Sequence, residues 1–165
     1  MFRTIAFFFL FSLSMGAYAQ SWLQAGASID GETVEDRSGY SVSLSDDGTI
    51  VAIGSPYHDG DSSKNNIGKV RVYKFENNRW TQLGSDIIGE AKSDNFGTSV
   101  SLSSDGTILA IGAPQNAGTD QYAGHVRVYE YSSGSWTKLG SDIDGEAKND
   151  YSGLTVSLSD DGTIL

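Results

Sequence analysis

The sequence predicts an all-β chain of propeller blades, each a four-stranded antiparallel meander, forming an incomplete propeller. Three observations predict it. A tandem repeat runs through the chain: SGYSVSLSDDGTIVAIGSP (38–56) returns as FGTSVSLSSDGTILAIGAP (96–114) and begins again as SGLTVSLSDDGTIL (152–165). Gly39, Gly97 and Gly153 open matching segments 58 and 56 residues apart, and periods of this order mark solenoids, propellers or arrays. Apolar and polar residues alternate with a period of two between turn signals, and no stretch after the leader sustains a helical period.

Residues 1–19 read as a secretory signal peptide. Arg3 is its positive head, 5–13 its short apolar run, and Ala17-Tyr18-Ala19 its small-x-small cleavage site, so the exported chain is expected to start at Gln20. No later segment is long and apolar enough to span a bilayer, which takes ~20 residues. The exported chain is therefore expected not to be integral to the membrane. Residues 20–38 align with the last third of a repeat and are read as the terminal strand of a blade.

Repeat 1 covers 39–96. Residues 40–45 alternate Val42 and Leu44 with serines, a half-buried strand. Ser45-Asp46-Asp47-Gly48 is a turn, with glycine free to take positive φ. The run TIVAIG (49–54) is nearly all apolar, as in a strand covered on both faces. A polar loop, 57–68, leads to a third strand at 69–75, and Asn77-Asn78 forms a two-residue hairpin turn. The fourth strand is placed at 79–87. Repeat 2, 97–152, copies each element with a loop two residues shorter (115–124), and 153–165 starts a third repeat. A length change confined to one segment marks a surface loop. A lone fourth strand at the start allows ring closure with the last blade, which removes exposed sheet edges. Rings hold about 4–8 blades, so the chain is expected to be part of a longer protein.

Charge and composition exclude several functions. The formal net charge is −10, against nucleic acid and anionic membranes. The chain has no cysteine, which removes disulfides, thiolate metal sites and cysteine nucleophiles, and suits a bacterial secreted protein.

At the aligned motifs the chain resembles the FG-GAP repeat family, the propeller units of integrin alpha-chain heads and bacterial surface proteins. Phe96-Gly97 and Gly112-Ala113-Pro114 carry the resemblance, with Ser38-Gly39 and Gly54-Ser55-Pro56 as a weaker copy and Ser152-Gly153 as a third start. It is most similar to bacterial units with W-x-x-L-G-S-D-I-x-G-E-A. The resemblance implies a secreted or cell-surface propeller. Calcium-binding members carry an acidic loop with several oxygen ligands, whereas only Asp46-Asp47-Gly48 and Ser104-Asp105-Gly106 stand here. One or two carboxylates do not fill six to eight positions, so neither calcium nor any other cofactor is expected. The S-x-D-G-T core is also similar to the Asp-box of sialidases and to WD-like units, both of them propeller repeats.

In such a meander the 2–3 loops and the 4–1 connections emerge on one side, the candidate ligand face. Recurring acids there, Glu32 and Asp36, Glu90 and Asp94, Glu146 and Asp150, are read first as turn- and cap-forming residues. The varying residues His58, Asp59, Asp61 and Tyr122 are the better ligand candidates. His58 and His125 are expected to be solvent-exposed, outside any metal pair or triad. Trp22, Trp80 and Trp136 keep strict phase and are read as blade-to-blade packing rather than sugar platforms. No nucleophile–base pair and no phosphate-cradling glycine motif is present. The expected function is non-catalytic binding or adhesion toward an extracellular protein or carbohydrate. The alternative is an accessory or scaffold propeller of a secreted enzyme or polysaccharide-handling protein.

Overall fold

The computed structural model describes residues 23–60 and 65–165. The leader, Trp22 and Asp61 lie outside them. Nine strands form, with no helix among the described residues: β1 (Ser41–Leu44), β2 (Ile50–Ser55), β3 (Lys69–Glu76), β4 (Arg79–Gln82), β5 (Ile87–Ile88), β6 (Ser99–Leu102), β7 (Ile108–Ala113), β8 (His125–Ser132) and β9 (Ser135–Asp144). They build two antiparallel meanders, β1-β2-β3-β4 with β5 also on β3, and β6-β7-β8-β9. These are two neighbouring propeller blades, and the sheets do not close on themselves.

The repeated S-x-D-G-T words explain the first hairpin of each blade. Asp47 Oδ1 accepts from Ser45 Oγ at 2.7 Å, Thr49 N at 2.9 Å and Thr49 Oγ1 at 2.8 Å, while Ser45 Oγ accepts from Ile50 N at 2.9 Å. Asp105 with Ser103 and Thr107, and Asp161 with Ser159 and Thr163, repeat the same box. The second hairpin takes its turn from Asn77 and Asn78, φ 52° and 59°, or from Ser133 and Gly134, φ 51° and 86°. Both central residues are left-handed, as a tight hairpin between right-twisted strands requires.

Two sequence expectations are corrected. The fourth strand of the first blade is not continuous over 79–87; it breaks into β4 and β5 around Gly84, whose φ is 77°. In the second blade the same position, Gly140, is also left-handed, but a bulge opposite Arg127 absorbs the two extra residues and β9 stays whole. The terminal strand expected at 20–38 is not formed over 23–38. Its expected partner is a strand of the closing blade, and among the described residues β3 and β8 are already paired with β4, β5 and β9. Left-handed turns at Gly26, Glu35 and Arg37 lead it along the first blade as coil.

One apolar core joins the blades. Ala52, Val70 and Val72 of the first meet Val100, Leu102, Leu109 and Ile111 of the second, with Phe96 of the connection between them. β2 and β7 are buried along nearly their whole length, which is why their sequences run apolar instead of alternating. Serines of the inner strands then couple blade to blade. Ser43 Oγ accepts from Leu102 N at 3.0 Å, and Ser101 Oγ accepts from Leu158 N at 2.9 Å. Ser41 Oγ donates to Gly97 O at 2.8 Å and Ser99 Oγ to Gly153 O at 2.7 Å. Unpaired edge groups are thus satisfied by the neighbouring blade. The approach is so close that a Cβ at Gly54 would strike Gly97 O, and one at Gly112 would strike Gly153 O. The phased tryptophans also bridge neighbouring segments: Trp80 Nε1 donates to Ala25 O and Trp136 Nε1 to Leu83 O, both at 2.9 Å.

Candidate functional site

The 2–3 loop and the 4–1 connection of each blade do lie together. Ser93, Asn95 and Phe96 donate backbone N–H groups to Asn65, Asn66 and Ile67 at 2.6, 3.1 and 3.1 Å. In the second blade Asn149, Tyr151 and Ser152 donate to Gln121, Tyr122 and Ala123 at 3.0, 3.0 and 2.8 Å. Two loops zipped by backbone bonds make a firm platform, unlike solvated single loops.

The acids of this face act as braces. Asp94 Oδ2 accepts from Ala91 N at 3.0 Å, and Asp150 Oδ2 from Ala147 N at 2.7 Å. Asp94 is buried, and desolvation pushes its carboxyl above the usual range. Asp36 Oδ2 meets His58 Nδ1 at 3.0 Å. Asp59 Oδ1 accepts from Asn65 N and Asn66 N at 2.8 and 3.0 Å, closing its own loop. Glu146 is exposed. These residues do not converge on one ligand position.

Glu32 and Glu90 reach across to basic residues on the third strand of the following blade. Glu32 pairs with Lys69 and, at 3.1 Å, with Arg71. Glu90 Oε2 lies 2.5 Å from Arg127 Nη2, which also lies 2.6 Å from Asp142 Oδ2. Hydrogen bonding to Arg127 holds the Glu90 carboxyl below its ordinary range, and Arg127, then Lys138, holds Asp142 far lower. His125 replaces the Lys69 of the first blade. It is not solvent-exposed as expected but 1% exposed, because β8 presses it under the connection. Burial, then Arg127, lowers its pKa, and its Nε2 has no hydrogen-bond partner. His58, also expected to be exposed, is half-buried. Ligand atoms of Glu90, His125 and Asp142 fall within 4.8 Å of one another, a grouping that sequence spacing did not reveal. The Arg127 guanidinium already neutralises both carboxylates there.

What converges instead is aromatic. A cavity of about 290 Å³ opens where the three repeats meet, lined by Tyr40, Tyr57, Thr98, Gln115, Tyr151 and Leu154, among others. Tyr40 and Tyr57 pack edge to face at 6.2 Å, and the Arg37 guanidinium lies 4.2 Å from the Tyr57 ring centre. Tyr122 and Tyr151 stack at 5.8 Å with 9° between planes. The sequence reading placed Tyr57 and Gln115 at the start of the loops of the candidate face, but as ligand candidates it singled out none of these lining residues, only the neighbouring Tyr122. The signal was available in the repeat columns: Tyr40, Thr98 and Leu154 are equivalent positions, as are Tyr57 and Gln115, and Asn95 and Tyr151. These columns vary while the frame around them repeats.

The fold and this face define a blade-repeat protein with a loop platform at one end of its strands. Residues 89–129, from the first 4–1 connection into β8, match the family model of the FG-GAP repeat. The chain therefore carries an FG-GAP repeat, flanked by further copies of the same words. Among solved structures it is similar to a periplasmic gluconolactonase of Pseudomonas aeruginosa, with 17% identity and a TM-score of 0.47. That similarity covers 72% of this chain and 32% of the other, so the chain spans about a third of that protein's length. No curated protein matches.

Proposed function

We propose that this chain is part of an exported, non-catalytic binding propeller whose loop face meets an extracellular protein or carbohydrate. The observation that carries the reading is the platform itself. In each blade the loop and connection are zipped together, while the residues exposed on them differ between equivalent positions. A rigid frame with varied surface residues is how binding surfaces are commonly built. Export rests on the leader at 1–19. The same reading expects no resident cofactor, no nucleic acid partner and a chain that is not integral to the membrane after cleavage.

The test has two parts. N-terminal sequencing of the exported full-length protein should begin at Gln20; a mature protein retaining Met1 would remove the export argument. Binding of labelled full-length protein to its own cell envelope and to host matrix should be saturable and should fall when Tyr122 and Tyr151 are both replaced by asparagine. Binding unchanged by that pair would move the ligand off this face.

A further inference from the structure

We infer that the cavity among Tyr40, Tyr57, Thr98, Gln115, Tyr151 and Leu154 is a binding site for one neutral sugar ring. The inference rests on the binding-propeller reading and names its ligand class. Its lining residues come from all three repeats, so this hollow belongs to the junction and not to one loop.

The first argument is chemical. No Asp, Glu, Lys or Arg lines the cavity, although the chain carries 21 acids and 11 bases. A charged ligand would be desolvated there without a partner, which is costly. Three phenol rings offer apolar faces with hydroxyl tips. Gln115, exposed, offers a side-chain amide. A pyranose presents the same pairing, flat C–H faces edged by hydroxyl groups. Aromatic faces take the former and amide and phenol groups the latter. The volume, about 290 Å³, stands near the lower end of small-molecule sites, which suits one ring.

The second argument is conformational. Arg37, Asn95 and Tyr151 are equivalent, and all three are left-handed, with φ 53°, 54° and 52°. Asn66 and Tyr122 are equivalent too, with φ 44° and 58°. Asparagine tolerates this region; a bulky aromatic does not do so readily. Repeat 2 nevertheless places tyrosine at both positions and stacks the rings. Strain kept at two adjacent positions, where the sister repeat uses the easier residue, points to use of the rings. Tyr122 supports Tyr151 from behind, and Arg37 does the same for Tyr57.

The experiment uses full-length protein with glucose, galactose, mannose and N-acetylglucosamine as probes, followed by ligand-detected NMR and titration. A tri-proline peptide is run alongside. At least one sugar should bind with a Kd on the order of 1 mM, as expected for a ligand of so few atoms. Tyr151→Asn restores the residue of repeat 1 at a left-handed position, so the fold survives. It should weaken sugar binding about fivefold or more. Gln115→Ala should weaken it as well, and Glu130→Ala, exposed on β8 and away from the cavity, should leave it unchanged. Sugar binding indifferent to both Tyr151→Asn and Gln115→Ala would overturn the site. Binding of the peptide and of no sugar would overturn the ligand class. Failure of every probe while the protein still binds envelope or matrix would end this inference and leave the binding-propeller reading standing.

Discussion

Replacing Ser43 with alanine tests how the blades are joined. Its hydroxyl accepts from Leu102 N–H, which belongs to the inner edge strand β6 and has no strand beside it on that side. Leu102 is 7% exposed, so water reaches the freed amide poorly. Orphaning a buried donor costs about 1–3 kcal/mol, more than the net worth of an ordinary hydrogen bond. Partial burial of the pair sets the expectation near the middle, about 1.5 kcal/mol. For a chain of this size that is a fall of about 3–6 °C in Tm. Ser101→Ala repeats the experiment at the next junction, where Leu158 is less buried, and should cost less. Ser41→Ala removes a donor from a carbonyl, Gly97 O, and should cost least, since under-satisfied carbonyls are better tolerated. Urea denaturation of the full-length variants, followed by circular dichroism, gives the three values. A Ser43→Ala cost under about 0.5 kcal/mol, the scale of an ordinary surface change, or a reversed order, would refute the edge-satisfaction argument.

Gly112→Ala should destabilise by about 1–3 kcal/mol through overpacking, because the colliding atom, Gly153 O, is backbone; a neutral result in denaturation would mean that the blades slide freely. Leu109→Ala, fully buried in the shared core, should cost about 2–5 kcal/mol, read in the same assay. His125 has a folded pKa below 6.5, and Glu90 and Asp142 have folded values below 4.5 and 3.8. All three contribute stability above their unfolded pKa values that is lost as pH falls. Stability should therefore decline first from about pH 6.5, and His125→Gln should flatten the slope between pH 7 and 5; an unchanged slope would assign it to other groups. Calcium titration should shift Tm little, since the turn carboxylates of Asp47, Asp105 and Asp161 are engaged in their own boxes. A large saturable rise would show that those boxes open for the ion.

The frame was legible because it is written more than once. Repetition located the blades, the period of two located β1 and β6, the apolar runs located β2 and β7, and Asn77-Asn78 located the hairpin. The fourth strand was harder: Gly84 and Gly140 take the same left-handed turn and interrupt the ladder at the same place, and no local pattern of apolar and polar residues marks that interruption. The cavity was not read at all. Its residues are separated by up to two repeats and share only an equivalent place, so no local pattern announces them. The burial of His125 was missed for a related reason. A loop-to-strand boundary reads as exposed until the Glu90 connection from the preceding blade is laid over it.

The inner-strand serines have a consequence for how such chains arise. Each module offers hydroxyl groups to its successor's edge and receives the same from its predecessor, so every copy brings both halves of its own fastening. Duplicating the segment therefore creates a fitted joint without any new mutation. Ring size becomes a matter of copy number, and the columns lining the cavity are left free to diverge while the fastenings stay fixed.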